Sequence, residues 1–115
     1  MASKFTINKG GAHGDYFYSL KAADGEKMLG SPGYTTKTAC KRAIDIVRVK
    51  ALDDANYEKR TNENGQPYFV LKAENDLVIG TSEPYLRVAD CERGIEMVKS
   101  EAPVARVDDI SELFL

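Results

Sequence analysis

The chain has 115 residues, of which 43% are hydrophobic and 30% are charged, a size and composition typical of one soluble globular domain. Its apolar runs are only a few residues long, which excludes a membrane-spanning helix. The net charge of −2 argues against a chain built mainly to neutralise nucleic-acid phosphates, although it leaves room for a local basic patch.

The first half of the chain predicts three strands followed by a helix. KFTIN alternates weakly and leads into the turn GGAHGD, and DYFYSLKA alternates with many aromatic residues, as strands do. The Asp-Gly of ADGE suits a tight hairpin turn, after which KMLGS returns as a third strand. Thr36 or Thr38 can cap the helix that follows. That helix carries one apolar stripe, made of Cys40, Ala43, Ile44, Val47 and Ala51.

The second half predicts the same order. The strands are NYEKR, PYFVLKA and VIGTS, joined by the turns TNENGQ and ENDL. Arg87 stands where the first half has Thr36, so Asp90 is the predicted cap, and Pro103 ends the helix. VARVDD favours one more short strand. The second apolar stripe consists of Cys91, Gly94, Ile95, Val98 and Ala102.

The two halves repeat at a fixed offset of 51 residues. Over the 38 gapless pairs that begin at Gly14, 11 are identical. We assign repeat one to about residues 4–55, repeat two to about 56–107 and a tail to 108–115. Since each copy has few apolar residues for a core of its own, we expect a single pseudo-twofold domain covering residues 1–115. The predicted fold is a two-layer α+β sandwich, in which one mainly antiparallel sheet carries both helices on one face.

The segments FYSLKAADGEKMLGSPGYTTKTACKRAIDIVRVKA and YFVLKAENDLVIGTSEPYLRVADCERGIEMVKSEAP resemble the tandem repeats of the YegP-like family of uncharacterised bacterial proteins. Each carries LKA, a Ser, a Tyr and a helix with central Ile and Val. The resemblance implies two β-β-β-α-β units that build one continuous sheet, in which the strand after each helix crosses to the other unit. It implies no established activity, ligand or functional residue. The longer turn GGAHG, Asn75-Asp76 in place of Asn-Gly, and the tail ISELFL depart from the pattern.

The two LKA strands present one face to the core and one away from it. Alternation puts Tyr18 and Leu20, with their counterparts Phe69 and Leu71, on the core face. The opposite face has an aromatic residue and, four positions later, an exposed lysine, which could stack a base and meet a phosphate. The alternative interpretation is a half-exposed cross-strand pair with the lysine stem lying over the ring. The candidate binding residues are Phe17, Lys21, Tyr68 and Lys72.

Other reactive residue types give weaker signals. Cys40 and Cys91 lie on the apolar stripes, where a thiol is usually a small buried hydrophobe, although a helix start slightly favours a redox role. His13 is the only histidine, so a histidine-rich metal site is excluded. Asp53-Asp54 and Asp108-Asp109 are expected to be solvated turn carboxylates. No nucleotide or cofactor fingerprint is present, so no cofactor is expected.

These observations favour a small non-enzymatic binding domain that uses the open sheet face to hold a protein or a single-stranded nucleic acid. Two alternatives stay open. One is a redox-responsive or enzymatic protein that uses Cys40 and Cys91, and the other is a structural or stress-associated protein without a specific ligand. Because duplication places two units in one chain, we expect a monomer. MASKFTINKGG lacks a secretory apolar segment, so we expect a cytoplasmic location. The tail residues Leu113, Phe114 and Leu115 could dock on the domain or on a partner.

Overall fold

A computed structural model describes residues 2–112 and arranges them as three strands and a helix, twice, followed by a seventh strand. The predicted order of elements is confirmed. One short 3-10 helix, Asp54–Asn56, lies between the first helix and the fourth strand. The connection Glu74–Asp76 is a tight turn in which Asn75 and Asp76 adopt positive φ (61° and 59°), as the sequence predicted for ENDL. The strands are β1 Lys4–Gly10, β2 Asp15–Lys21, β3 Lys27–Gly30, β4 Tyr57–Thr61, β5 Pro67–Lys72, β6 Val78–Thr81 and β7 Arg106–Asp109. The helices are α1 Lys37–Lys50 and α2 Val88–Glu101.

All seven strands form one continuous sheet in the order β4-β5-β6-β3-β2-β1-β7. Every pairing is antiparallel except that of β1 with β7, so the predicted α+β architecture is confirmed. The strand after α2 is β7, which crosses to β1 of repeat one. The strand after α1 is β4, which is already the first strand of repeat two. Residues 2–112 therefore contribute seven strands to the sheet. Within that range β7 lies beside β1, whereas the equivalent strand β4 has no strand on its outer side.

The core lies between the sheet and the two helices. Tyr18, Leu20, Phe69 and Leu71 are all buried there, as their alternation predicted. The two repeats share this core, because the Tyr18 hydroxyl of repeat one donates a hydrogen bond to the backbone carbonyl of Ile79 in repeat two (2.5 Å). Buried polar groups require such partners, and this bond ties the repeats together.

The junction between the repeats is packed asymmetrically. Leu29 of β3 and Gly80 of β6 are equivalent positions at the offset of 51, and both are buried. A Cβ placed on Gly80 would lie 2.7 Å from Cδ2 of Leu29. The leucine of one repeat therefore occupies the space that the other repeat leaves by having a glycine.

The helix starts differ between the repeats. Thr36 caps α1, since its Oγ1 accepts a hydrogen bond from the Ala39 amide (3.1 Å), which confirms one of the two predicted caps. The prediction for α2 is wrong: the cap position is Arg87, and no side chain caps it. Asp90 lies inside the first turn instead, where its carboxylate pairs with Arg87 and Arg93 and favourably faces the helix dipole.

The described part of the tail lies against the start of α1. Lys37 Nζ is 2.9 Å from the Asp109 carboxylate and 3.0 Å from that of Glu112. The predicted docking residues Leu113, Phe114 and Leu115 lie outside the described residues. Between residues 2 and 112, neither helix has the length and apolar character needed to cross a membrane.

Candidate binding face

The sheet surface away from the helices, here called the open face, carries the four residues that the sequence singled out. Phe17, Lys21, Tyr68 and Lys72 are all half-buried, so the lysines are less exposed than alternation predicted. The reason is that neighbouring strands lie only about 4.8 Å apart, which brings long side chains over one another. Within residues 2–112, no hydrogen bond, ion pair or aromatic pair joins Phe17 or Lys21 to Tyr68 or Lys72.

A row of mostly small side chains crosses the middle of the open face. Two of its members, Thr6 and Val70, are 2% and 1% exposed even though no helix covers them. Longer side chains on either side therefore shield them, and a cavity of about 380 Å³ opens beside Gly30 and Thr81. From β7 to β4 the row consists of Asp108, Thr6, Ser19, Gly30, Thr81, Val70 and Glu58.

Next to that row, repeat one places four cations in register on four adjacent strands. They are Lys27, Lys21, Lys4 and Arg106, from β3, β2, β1 and β7, here called the basic row. Three strand spacings make it about 14 Å long.

Two of the four cations have carboxylate partners and two do not. Lys4 lies 3.5 Å from Asp108 and Lys27 lies 3.6 Å from Glu83, both pairs being partly exposed. Lys21 and Arg106 form no ion pair with any residue between 2 and 112. Loose surface pairs hold their charges weakly, so this row keeps a positive field available to an anionic ligand.

Repeat two does not reproduce the basic row. Lys72 Nζ is 2.7 Å from the Glu58 carboxylate and 3.3 Å from that of Asp76. Hydrogen bonds from Lys72 and then Arg60 lower the pKa of Glu58 to about 2, so this carboxylate stays charged down to strongly acidic pH. The position equivalent to Lys27 is Val78. Lys21 and Lys72 thus occupy equivalent positions in the two repeats but have different neighbours.

The two cysteines lie inside the core. Cys40 and Cys91 are both 0% exposed and unpaired as disulfides. Burial raises the pKa of the Cys40 thiol to about 11 and also raises that of Cys91. Because the thiolate is the reactive form, the geometry disfavours thiol chemistry near neutral pH.

We therefore expect both thiols to be unreactive in the folded protein. Ellman's reagent at pH 8 should release no appreciable thiol signal from the native chain, and two equivalents after addition of denaturant. One equivalent released at once without denaturant would support the redox alternative instead.

The remaining sequence candidates lie apart from one another. His13 is exposed in the turn between β1 and β2. Asp53 accepts a hydrogen bond from the Ala55 amide, and Asp54 pairs with Lys99 at 2.8 Å. Asp108 and Asp109 pair with separate lysines, as described above. Across residues 2–112, no group of three or more His, Cys, Asp or Glu side chains is placed to hold a metal ion.

Comparisons with known proteins agree with the repeat and the fold. The family described as "Domain of unknown function (DUF1508)" matches the chain twice, over residues 12–58 and 62–109. The chain is 38% identical over 110 residues to the UPF0339 protein in the ptx operon 5' region of Stutzerimonas stutzeri, covering 96% of this chain and 98% of that one. It is 38% identical over 109 residues to the UPF0339 protein YegP of Escherichia coli K12, covering 95% and 98%.

Two solved structures show the same architecture. The solution NMR structure of yegP from E. coli, a protein of unknown function, matches with a TM-score of 0.90 at 37% identity, over 97% of this chain and 96% of that one. The NMR structure of the UPF0339 protein SO3888 from Shewanella oneidensis matches with a TM-score of 0.88 at 32% identity, over 96% and 93%. The resemblance to YegP-like proteins is confirmed, and the chain belongs to the DUF1508 family in its two-copy, YegP-like form.

Proposed function

We propose that this protein is a small, non-enzymatic binding domain whose open face holds single-stranded nucleic acid across repeat one. The observation that supports this most is the basic row, in which Lys21 and Arg106 are free of ion pairs within residues 2–112. Single-stranded nucleic acids bind along positively charged surfaces, with bases stacked on nearby aromatic rings.

Phe17 is the ring placed to stack a base. It lies on β2 on the same face as Lys21 and four residues before it, a separation of about 13 Å along the strand. Its ring approaches Gly33, where an added Cβ would be 3.1 Å from Phe17 Cε2. The Asp15 carboxylate lies beside the same glycine, 2.9 Å from that added Cβ, and the half-buried ring of Phe17 keeps part of its surface open to a base.

The open face is better suited to a nucleic acid than to a protein. Protein interfaces depend on buried aromatic or aliphatic anchors that fill pockets. The middle row offers Thr6, Ser19, Gly30 and Thr81 instead, with the cations beside them. The net charge of −2 does not oppose this. Glu58 and Asp76 lie in repeat two beside Lys72, and the carboxylates beside the basic row, Asp108 and Glu83, form only partly exposed pairs with Lys4 and Lys27.

The proposal includes a cytoplasmic, monomeric protein. Both repeats already share one sheet and one core, so the two-unit assembly is complete within one chain. Composition supports the location, since the charged fraction of 30% suits an aqueous compartment.

Replacing Lys21 with Glu should weaken binding of a fluorescein-labelled 12-nucleotide oligo(rU) by about tenfold or more. The change removes one phosphate contact and adds a repelling charge in the middle of the basic row. Fluorescence anisotropy at low and moderate salt measures the affinity. Binding by the variant should depend less steeply on salt concentration than binding by the wild type.

The matched control is Lys41→Glu. Lys41 is an exposed lysine on α1, in the other layer, and the charge change is the same. If Lys41→Glu weakened binding as much as Lys21→Glu, attraction would reflect net charge rather than this face. A wild-type protein that bound no oligonucleotide at 50 mM salt would also contradict the proposal.

A further inference from the structure

The two edges of the sheet differ, although the repeats are related by pseudo-symmetry. At one edge β7 covers β1, with Val107 beside Phe5 in parallel register. The residue equivalent to Phe5 is Tyr57, because Phe5 pairs with Leu20 and Tyr57 pairs with Leu71. The outer side of β4 is the other edge of the sheet, with no strand beside it among residues 2–112.

The backbone of β4 is oriented to accept a strand at that edge. The Asn62 amide donates to the Gln66 carbonyl of the neighbouring strand segment (2.9 Å). Because backbone groups alternate in direction along an antiparallel strand, the N–H and C=O groups of Tyr57, Lys59 and Thr61 point away from β5. At the covered edge the residue equivalent to Lys59 is Ile7, whose carbonyl accepts a hydrogen bond from the Ile110 amide (3.0 Å). The corresponding hydrogen-bonding groups of β4 therefore face away from the sheet.

Side-chain burial shows the same difference. Phe5 and Ile7 are 0% exposed beneath β7, whereas Tyr57 is half-buried and Lys59 is exposed. A cavity of about 320 Å³ opens between β4 and α2. It is lined by Asp54, Tyr57, Lys59, Glu92, Ile95 and Glu96.

The equivalent helix positions of repeat one face β7. Lys41, Ile44 and Asp45 of α1 line a cavity together with Val107 and Asp109. These three helix positions correspond to Glu92, Ile95 and Glu96 at the offset of 51. The chain thus contains its own example of what an added strand contacts, namely the helix flank that borders the sheet edge.

We propose that the outer edge of β4 binds an extended peptide segment of a partner protein, parallel to β4, as β7 binds β1. Its central side chain is apolar, like Val107, and lies over Tyr57 and Ile95. The side chain two positions later, equivalent to Asp109, is Lys or Arg. The charge follows from two exchanges between the repeats. Lys37, which lies 2.9 Å from Asp109, is replaced by Val88, and Lys41 is replaced by Glu92. An acidic side chain would therefore lose its lysine partner, whereas a Lys or Arg can pair with Glu92, whose present partner is the exposed Lys59 (2.6 Å). Strand addition at a free sheet edge is an established mode of peptide recognition.

The test uses two blocked peptides with the sequence VARVDDIS of residues 104–111, one unaltered and one carrying Asp109→Arg. Each is titrated into the full nitrogen-15-labelled chain. The Asp109→Arg peptide should shift amide signals of Tyr57–Thr61 and of residues 92–96, and should bind about fivefold more tightly than the unaltered peptide. In the variant Glu92→Lys the order of the two affinities should reverse. Lys21→Glu should bind both peptides as the wild type does, which separates this surface from the open face.

Four results would overturn the proposal. The first is amide shifts that fall on β1 and β7, and the second is no shift in β4 at millimolar peptide. The third is equal affinities for the two peptides in both the wild type and Glu92→Lys. The fourth is a light-scattering mass of twice 12.7 kDa that disappears when β4 is mutated. The last result would make a second copy of the chain the occupant.

Discussion

Replacing Phe69 with Ala is expected to lower the free energy of unfolding by about 3–5 kcal/mol, the usual cost of emptying a buried aromatic site. Phe69 is 0% exposed and its ring lies between Tyr57 and Tyr85, with centroid distances of 5.8 and 6.3 Å. Since domains of this size have only about 5–15 kcal/mol of stability, the variant should sit close to unfolding. Urea denaturation measures the change as a lower midpoint with an unchanged slope.

The adjacent residue supplies the control. Tyr68 lies on the open face, one position earlier in β5, and is half-buried. Tyr68→Ala should cost about 1 kcal/mol, since removing a half-buried ring leaves no enclosed cavity in the core. Equal losses of unfolding free energy for Tyr68→Ala and Phe69→Ala would mean that both faces of β5 are covered, which would contradict the two-layer arrangement.

The junction between the repeats should show strong coupling between Leu29 and Gly80. Leu29→Ala empties space and should cost about 2–5 kcal/mol. Gly80→Ala places a methyl group against Leu29 and should cost about 1–3 kcal/mol, because well-packed cores resist added volume. In the double variant the new methyl enters the space that Leu29 vacated. The double variant should therefore lose at least about 1 kcal/mol less than the sum of the single losses, measured by urea denaturation.

Gly10 provides the comparison for this cycle. A Cβ on Gly10 would meet nothing within 4 Å, so Gly10→Ala combined with Leu29→Ala should give additive losses. If Leu29 and Gly80 were also additive to within about 0.3 kcal/mol, the repeats would not share one tightly packed junction.

The local elements of the fold could be predicted from this sequence because each has its own signal. Alternation defines β2 and β5, the stripe through Ile44 and Val47 defines α1, and Thr36 supplies a hydroxyl at its start. The start of α2 was not predictable from the sequence in the same way, since Arg87 at the cap position provides no side-chain cap and Asp90 lies inside the first turn.

Part of the candidate binding face was beyond sequence reasoning, because register between strands depends on the whole fold. Lys21 stands out through the repeated LKA, but Lys4, Lys27 and Arg106 are far from it in sequence. Only the pairings of β1, β3 and β7 with their neighbours place them in one row.

The repeated motif also suggested an equivalence that the fold does not keep. Lys72 is held by Glu58 and Asp76, whereas the residues at the corresponding positions near Lys21 are Thr6 and Gly25, which carry no charge. The environment of each lysine therefore depends on strands outside the motif.

Amide-shift mapping of the oligo(rU) 12-mer on the nitrogen-15-labelled chain tests the proposed binding face most directly. We expect changes concentrated at Phe17, Lys21, Lys4, Lys27 and Arg106, with α1, α2 and β4 unaffected. Changes centred on the helices or on repeat two, or none at millimolar oligonucleotide and low salt, would contradict a nucleic-acid-binding face on repeat one.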